Sequence, residues 1–512
     1  MPDSTANSLW LREPPGNFTQ VCPSDCHPSR CCQTMPTVFF STHASLTMPA
    51  IPAMPFNASQ TKPRWRPYAV ILGVMLATLP GCASVSPGAS ADGQGPAASA
   101  GPQLQAWWHN LNDATLHQLI NDALLANPNV DVARAAVRQA RALRDGELAS
   151  QRPQLGLSGS LQRNTSEGSS SSTTARTGLD ASWELDIFGA KRSALASRDA
   201  GIVVEVNNLR DVRLSLSAEV ALAYIQLRGQ QAKLDIAQRN LTSQQETLQI
   251  TQWRAQAGLL TSLEVEQALT AAAQTSAQIP ALRSSLGKTR HSLAVLTGRP
   301  PTELDALLQA TQPIPQAPSQ VADVIEADRM RQRADVRAAQ ARITAALANV
   351  DAADAARYPK FKLGGSVGLT ALTLAGLTNG AAVATQVLAS MSAPLFDGGA
   401  VNAQVKVQQA GVDQARANYQ TTLLTALKDV EDAMLSWRND KDRLIYLQQA
   451  ATAAENADLL AQNRFASGLI DFQTVLQTQR TLLSAQDSLA GVQADLSSDY
   501  VRIVKAIGGD WQ

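Results

Sequence analysis

Hydrophobic and polar residues alternate one by one in four short segments of the chain. In the clearest, residues 177–187, the odd positions from 179 to 187 are apolar and the even positions from 180 to 186 are Asp, Ser or Glu. A period of two places these two rows on opposite faces of an extended strand. The same pattern recurs in three other segments: residues 153–162, 361–370 and 387–395. The sequence therefore predicts four amphipathic strands.

The four predicted strands come in two pairs, each joined by a stretch of small residues, at 166–174 and 371–384. Four amphipathic strands cannot close a barrel, and lipid excludes an open sheet edge because its backbone groups lack partners. If the strands lie in a membrane, several copies of the chain must combine them. A small soluble sheet that caps a helical bundle is the alternative.

Most of the remaining chain has the periodicity of long helices. A run from Gly189 to about Gln256 contains no proline, and at ~1.5 Å per residue it would be roughly 100 Å long. The glycine of the Ala257-Gly258-Leu259 triplet predicts a turn, since glycine commonly follows the last helical residue. A second helix is predicted over residues 262–296, and five prolines between 300 and 319 then divide the chain.

The second half of the chain repeats the first. Pro359 corresponds to Pro153 (359 − 153 = 206), and Gly468 corresponds to Gly258 (468 − 258 = 210). The long helix recurs from Gly399 to about Phe465. Solenoid repeats have periods of roughly 20–50 residues, so this longer period indicates a tandem duplication of a whole helix, strand pair and helical hairpin.

The long helices carry a narrow apolar seam. In the second repeat its members are three or four residues apart: Val412, Ala415, Tyr419, Leu423, Ala426, Val430, Ala433 and Trp437. This is the spacing of a coiled coil, and polar residues occupy the opposite side. The pattern favours helices packed side by side into a wall with water on both faces. A long coiled-coil scaffold has the same pattern.

The beginning of the chain has the order of an export signal. Lys62, Arg64 and Arg66 precede an apolar stretch at 68–79, which ends in Leu-Pro-Gly and Cys82. Basic residues, a short apolar run and small residues before the cut predict a signal peptide over 54–81. The ending resembles a lipobox, in which Cys82 is acylated, and residues 82–103 are then a flexible tether. A chance cysteine after an ordinary signal peptide is the alternative.

Residues 1–53 form a Pro/Ser-rich leader that we predict to be disordered or untranslated. It holds four of the five cysteines but lacks a second spaced pair, so we do not expect a metal site there.

Composition narrows the possible functions. The 512 residues contain 43 Lys+Arg and 43 Asp+Glu. Because there is no excess of positive charge, the composition does not indicate a nucleic-acid partner. His109, His117 and His291 are not at ligand spacing, and no phosphate loop or nucleophile elbow is present. We therefore expect no enzyme activity, no cofactor and no metal.

Four motifs point to a family. They are Leu-Thr-Gly-Arg-Pro at 296–300, Arg-Phe-Ala-Ser-Gly at 464–468, Leu-Gln-Thr-Gln-Arg at 476–480 and Ala-Ile-Gly-Gly-Asp-Trp at 506–511. With the duplication and the lipobox, residues 104–512 resemble the TolC/OprM outer-membrane factor family, nearest its NodT-type lipoproteins. The resemblance implies two repeats, at 104–300 and 321–512, separated by a linker at 301–320.

The resemblance also implies the assembly. The fold would be an α+β membrane protein and a homotrimer, in which each chain gives four strands to a twelve-stranded outer-membrane β-barrel. The long helical hairpins would form a periplasmic α-barrel, with the lipid on Cys82 as an additional anchor.

As an outer-membrane factor, the protein would be the passive exit duct of a tripartite efflux system for drugs and other small toxic compounds, with a role in antibiotic resistance. The hairpin tips, at Gly258, Leu259, Gly468 and Leu469, would contact a periplasmic adaptor protein that joins an inner-membrane pump. A protein-export duct and a non-channel coiled-coil envelope scaffold are the alternatives.

In this family the channel narrows just after the second-repeat turn, which corresponds here to residues 471–480. Relatives commonly carry Asp where this chain has Gln477, so Asp471 is the nearest candidate for an acidic ring. Further candidates for this periplasmic gate are Thr474, Gln477, Glu264 and Glu266. Alternatively, Asp471 is a solvated residue in the first turn of a helix.

Overall fold

A computed structural model describes residues 107–165, 171–318 and 330–509 of the chain. Its helices are α1 (Ala114–Ala126), α2 (Pro128–Ser150), α3 (Ala190–Gln256), α4 (Ser262–Leu296), α5 (Asp305–Leu308), α6 (Ala334–Asp354), α7 (Ala400–Ala466) and α8 (Phe472–Ile507). Its strands are β1 (Gln154–Asn164), β2 (Ser172–Leu185), β3 (Lys360–Ala371) and β4 (Ala382–Ser392). Short 3₁₀ turns lie at Trp107–Leu111, Ala355–Arg357 and Ala375–Leu377. The predicted signal peptide and Cys82 lie outside the described residues.

The strands form one antiparallel sheet in the order β1-β2-β3-β4. The central pair, β2 and β3, comes from different repeats, with Leu179 opposite Val367. Gly178 lies opposite Gly368, and a Cβ on Gly178 would stand 2.9 Å from the carbonyl oxygen of Val367. The two repeats are therefore joined in the sheet by a close backbone approach that leaves no room for a side chain.

The register aligns the apolar rows of all four strands on one face, since directly opposed residues in an antiparallel pair share a face. Leu157 pairs with Leu179, Leu179 with Val367, and Leu369 with Val383. The other face carries Asp180, Ser366 and Gln386 in register. The predicted alternation is confirmed, and Leu388 is an apolar exception on the polar face.

Two strands begin earlier than the pattern indicated, and β4 ends at Ser392, before the predicted end at 395. β4 begins at Ala382, five residues before the predicted start at 387, and β2 begins at Ser172 rather than at 177. Apart from Val383 the added residues are small or polar, and they belong to strands because they pair with β3 and β1. β2 ends before Asp186, whose two carboxylate oxygens accept the backbone N–H groups of Lys191 and Arg192 at the start of α3.

The long helices pair into two hairpins, α3 with α4 and α7 with α8, and α2 and α6 pack along α3. Helices α3 and α7 are each 67 residues long. The predicted seam of α7 is confirmed, because Val412, Ala426 and Trp437 are buried and the residues between them are mostly exposed. Among the residues that the structure describes, no helix combines the length and apolarity needed to cross a membrane.

The main hydrophobic core joins the middle of α3, the ends of α4 and α8, and the Pro-rich segment between the repeats. Leu304 and Leu308 of that segment are fully buried in it. The fully buried Arg228 holds the same segment, donating hydrogen bonds to the carbonyl oxygen of Ala310 at 2.7 Å and to Gln312 at 2.9 Å. The segment predicted as a linker is thus packed against the helices of both repeats.

Candidate functional site

One end of the molecule presents an apolar sheet with open edges. The apolar side chains of the edge strands β1 and β4 are exposed, including Leu155, Leu157, Val383 and Val387. Among the described residues, β1 pairs only with β2, and β4 pairs only with β3. The unpaired backbone groups of an edge strand can pair with a further strand. An exposed apolar face of this kind marks a surface that contacts a protein partner or a membrane.

The other end carries the two hairpin turns, which have the same geometry. Gly258 and Gly468 have left-handed backbones, with φ of 75° and 74°. In each turn the next residue, Leu259 or Leu469, donates its backbone N–H 2.8 Å to an arginine carbonyl at the helix end. These bonds close the ends of the helices. Leu259 and Leu469 project outward, 72% and 74% exposed.

The first-repeat turn ends in a capping box at the start of α4. Thr261 accepts a hydrogen bond from the backbone N–H of Leu263, and Glu264 accepts one from the backbone N–H of Thr261 at 3.0 Å. The hydrogen bond from the Thr261 side chain lowers the pKa of Glu264. The predicted gate residue Glu264 is thus bonded to its own turn, whereas Glu266 is exposed.

The second-repeat turn ends with Asp471 as the N-cap of α8. Its carboxylate accepts the backbone N–H of Thr474 at 2.9 Å, and the Thr474 hydroxyl also donates to it. These hydrogen bonds lower the pKa of Asp471. The structure brings Asp471 and Thr474 together in the first-turn arrangement that was the alternative to a gate, and Gln477 is exposed one turn further on. The gate assignment stays a prediction about neighbouring copies of the chain.

A contact between the two tips was missed by the sequence analysis. The Arg254 guanidinium lies 4.5 Å from the centre of the Phe465 ring and donates a 2.8 Å hydrogen bond to the carbonyl oxygen of Ala466. Gln473 of α8 also donates to Gln267 of α4. The partners are more than 200 residues apart, so no local pattern could have indicated these contacts.

Behind the turns, apolar residues from both hairpins form a small core. Its buried members are Ala268, Ala271, Ala461, Phe465, Phe472, Val475 and Leu476. The tips are therefore held together by packing as well as by Arg254. A relative movement of the two hairpins at this end would have to expose part of this apolar surface.

A buried polar layer lies next to this core. Asp458 of α7 is 5% exposed and accepts hydrogen bonds from Gln462 at 2.7 Å and from Thr478 of α8 at 3.2 Å. Gln479 of α8 donates to Thr247 of α3 at 2.9 Å. Burial raises the pKa of Asp458. The layer connects the second-repeat hairpin to α3 through directional hydrogen bonds.

Within the described ranges, no group of three or more His, Cys, Asp and Glu side chains could hold a metal ion. His109 and His117 do meet, with ring centres 4.3 Å apart, and His117 also contacts the carbonyl oxygen of Trp108 at 3.0 Å.

Comparison with known proteins gives two family matches within this chain. Residues 119–299 and 329–509 each match the family model described as outer membrane efflux protein. The two matched segments correspond to the two repeats of the sequence.

Curated relatives match over most of their length. The pyoverdine export outer membrane protein OpmQ of Pseudomonas putida is 32% identical over 439 residues, which cover 82% of this chain and 91% of OpmQ. Nodulation protein T of Rhizobium leguminosarum is 30% identical, with 79% of this chain and 84% of the relative covered.

A solved structure has the same fold. The outer-membrane channel OprN superposes with a TM-score of 0.75 at 34% sequence identity, covering 79% of this chain and 92% of OprN.

Proposed function

Since this chain belongs to the outer membrane efflux protein family, we propose that it is the exit duct through which a tripartite system passes small toxic compounds. The predicted family, its efflux function and the outer-membrane location with periplasmic helices are confirmed by these likenesses. The fold class is confirmed too, with long helical hairpins, four strands and an internal duplication. Family and relatives are channel proteins, and we propose that this chain has no enzyme activity.

Assembly follows from the sheet. One apolar face runs across all four strands, and the outer edges of β1 and β4 have no partner strand among the described residues. These two features are the main support for the proposal. Three copies would pair β1 of one chain with β4 of the next and close a twelve-stranded barrel. Closure satisfies every edge, and the barrel turns the apolar face toward lipid and the polar face toward water.

The partners are a periplasmic adaptor protein and an inner-membrane pump. The turns at Gly258, Leu259, Gly468 and Leu469 support contact with the adaptor, because each presents an exposed leucine at the free end of a hairpin. The pump would supply the energy for transport, since the sequence of this chain has no phosphate-binding loop for a nucleotide.

We also propose that Cys82 is acylated after removal of residues 54–81 and that residues 82–103 tether the channel to the lipid. The order of basic, apolar and small residues supports this. The repeats are assigned to 104–300 and 321–512, with the linker at 301–320 between them and the leader at 1–53 outside the mature protein.

The barrel is tested by charging one face of β4 at a time. Val387→Lys places a cation on the apolar face, and Gln386→Lys places the same cation on the polar face. A lysine facing lipid costs about 2–4 kcal/mol near the bilayer centre. We expect Val387→Lys to abolish heat-modifiable trimers and most ion conductance in planar bilayers, and Gln386→Lys to retain both. Equal conductance with either lysine would contradict the assignment of the apolar face to lipid. A protein that does not conduct and is released in soluble form once the lipid is removed would instead be the scaffold.

The cargo class needs its own test. A relative named for pyoverdine export favours small compounds over proteins. A strain without this chain should become more susceptible to toxic compounds while its protein secretion is unchanged. Lost secretion with normal susceptibility would favour the protein-export duct.

A further inference from the structure

A carboxyl group is buried between the two helices of the second-repeat hairpin. Asp499 of α8 is 0% exposed. One of its oxygens, Oδ1, accepts a 2.7 Å hydrogen bond from Arg502 one turn further along the same helix. The other oxygen, Oδ2, is buried and has no donor among the described residues. A buried acceptor without a donor is costly, so this oxygen requires an explanation.

The facing helix supplies a second carboxyl group. Asp440 of α7 is close enough to Asp499 to raise the pKa of that carboxyl, and the side chain of Asp440 is mostly buried and paired with Arg443. Ionised carboxylates accept hydrogen bonds but cannot donate them. A hydrogen bond between these two groups therefore requires a proton on one of them.

Burial favours a proton on Asp499. Burial raises the pKa of Asp499 to about 6, Arg502 opposes the rise, and the contact with Asp440 adds to it. Arg502 from α8 and Asp440 from α7 are the charged groups that act on Asp499, and Arg443 lies behind Asp440. Among the described residues, no charged group of α3 or of the segment before α1 contributes to the pKa of Asp499, and the hydroxyl of the neighbouring Tyr500 accepts a hydrogen bond from Asn110.

The duplication provides an internal comparison. The offset of 210 that relates Gly468 to Gly258 relates Asp440 to Gln230 (440 − 210 = 230) and Asp499 to Thr289 (499 − 210 = 289). In the first repeat these two residues also meet between paired helices, where the Thr289 hydroxyl donates a 3.0 Å hydrogen bond to the Gln230 side-chain oxygen. The same position thus holds a neutral bridge in one hairpin and two carboxyl groups in the other.

We propose that Asp499 and Asp440 share one proton, and that the resulting hydrogen bond holds α8 against α7. The contact between the two helices then weakens when the proton is lost. In the protonated state the carboxyl of Asp499 donates to the carboxylate of Asp440. When the proton passes to water, two carboxylates face each other and repel, while each keeps its own arginine. The first-repeat hairpin has no such response, because its bridge does not titrate.

The test is hydrogen–deuterium exchange of the assembled full chain in detergent between pH 5.5 and 7.5, corrected for the intrinsic effect of pH on exchange. Peptides around 440 and 499 should exchange about fourfold faster at the higher pH, since a group with a pKa of about 6 is mostly protonated at pH 5.5 and almost fully ionised at pH 7.5. Peptides around 230 and 289 should show no such change.

Asp499→Asn should remove the pH dependence, because an amide donates to Asp440 at every pH. Asp440→Asn should do the same and serves if the first variant does not fold. The matched control is Asp487→Asn on the same helix, where the half-exposed carboxylate pairs with Lys233. That variant should keep the response of the unmodified protein. Equal pH dependence in both hairpins, or an unchanged response in both asparagine variants, would overturn the proposal.

Discussion

The two helical hairpins have the same backbone and different interiors. Their long helices are both 67 residues, and their turns have glycines with φ of 75° and 74°. Between the helices, however, Asp440 and Asp499 of the second hairpin replace Gln230 and Thr289 of the first. The duplication has kept the geometry, which is set by apolar spacing and turn glycines, and has let the buried chemistry diverge.

Nearer the tips the difference continues. With the offset of 210, Asp458 corresponds to Leu248 and Thr478 to Ala268. The polar contact between Asp458 and Thr478 in the second hairpin is thus replaced by apolar residues in the first. At this level the second hairpin has a hydrogen bond between its helices where the first hairpin has apolar residues.

The largest expected effect comes from the apolar core of the tips. Phe465 is 3% exposed and lies under Arg254, whereas its counterpart in the first repeat is Ala255. Phe465→Ala, which copies the first repeat, should destabilise the tips by about 3–5 kcal/mol, as truncation of a buried aromatic does. Hydrogen exchange of the tip peptides measures this effect.

The control for Phe465→Ala is Trp253→Ala, because Trp253 is an exposed aromatic near the other tip. It should change exchange little. Similar losses of stability in both variants would mean that the two tips are equally well packed.

A smaller effect is expected in the polar layer. Burial raises the pKa of Asp458 above 3.8, so the stability that its protonated form gives is present below that pH. It is lost as pH rises through the higher pKa of the folded state. Asp458→Asn should therefore be more stable than the unmodified protein at pH 8, by on the order of 1–2 kcal/mol, and similar to it at pH 4. Thermal unfolding at both pH values checks this.

The control for Asp458→Asn is Glu455→Gln, an exposed carboxylate on the same helix. If both variants are stabilised equally at pH 8, the added stability comes from removing a negative charge in general rather than from replacing the buried carboxyl of Asp458.

The smallest expected effect is a difference in pH dependence between the two helix caps, Thr261 of α4 and Asp471 of α8. Thr261→Ala should cost about 0.5–1 kcal/mol at every pH above the titration of Glu264, as loss of a neutral cap does. The Asp471 cap should instead depend on pH. Because hydrogen bonds lower its pKa, its contribution is present above the unfolded pKa and is lost as pH falls through the lower folded pKa.

Exchange of the first turn of α8 in acid measures the Asp471 cap, and Asp471→Asn, which keeps an acceptor at low pH, is its control. Should the unmodified cap hold equally well in acid, the carboxylate would not be the group that fastens this turn.

Much of the fold was predictable because it is encoded locally. The alternation at 177–187 predicted a strand, the helical spacing predicted α3 and α4, and the turn glycines predicted both hairpin ends. The start of β4 was predicted wrongly, because Ala382 belongs to the strand through its pairing with β3 rather than through its own pattern.

The contacts between distant segments could not be predicted. Arg254 on Phe465, Arg228 on Gln312 and Asp499 beside Asp440 depend on helix packing rather than on neighbours in sequence. The gate residues and the acylation of Cys82 stay predictions, since they concern other copies of the chain or residues outside those described.

The pairing of β2 with β3 has a consequence for splitting the gene. Each repeat contributes only two neighbouring strands, and the boundary between the repeats is the central β2–β3 pair of the sheet. A fragment encoding one repeat would be left with a two-stranded ribbon, which is marginal at best in isolation. Complementation by two half-length fragments therefore requires that both be made in the same cell, since the four-stranded sheet forms only when the two fragments associate.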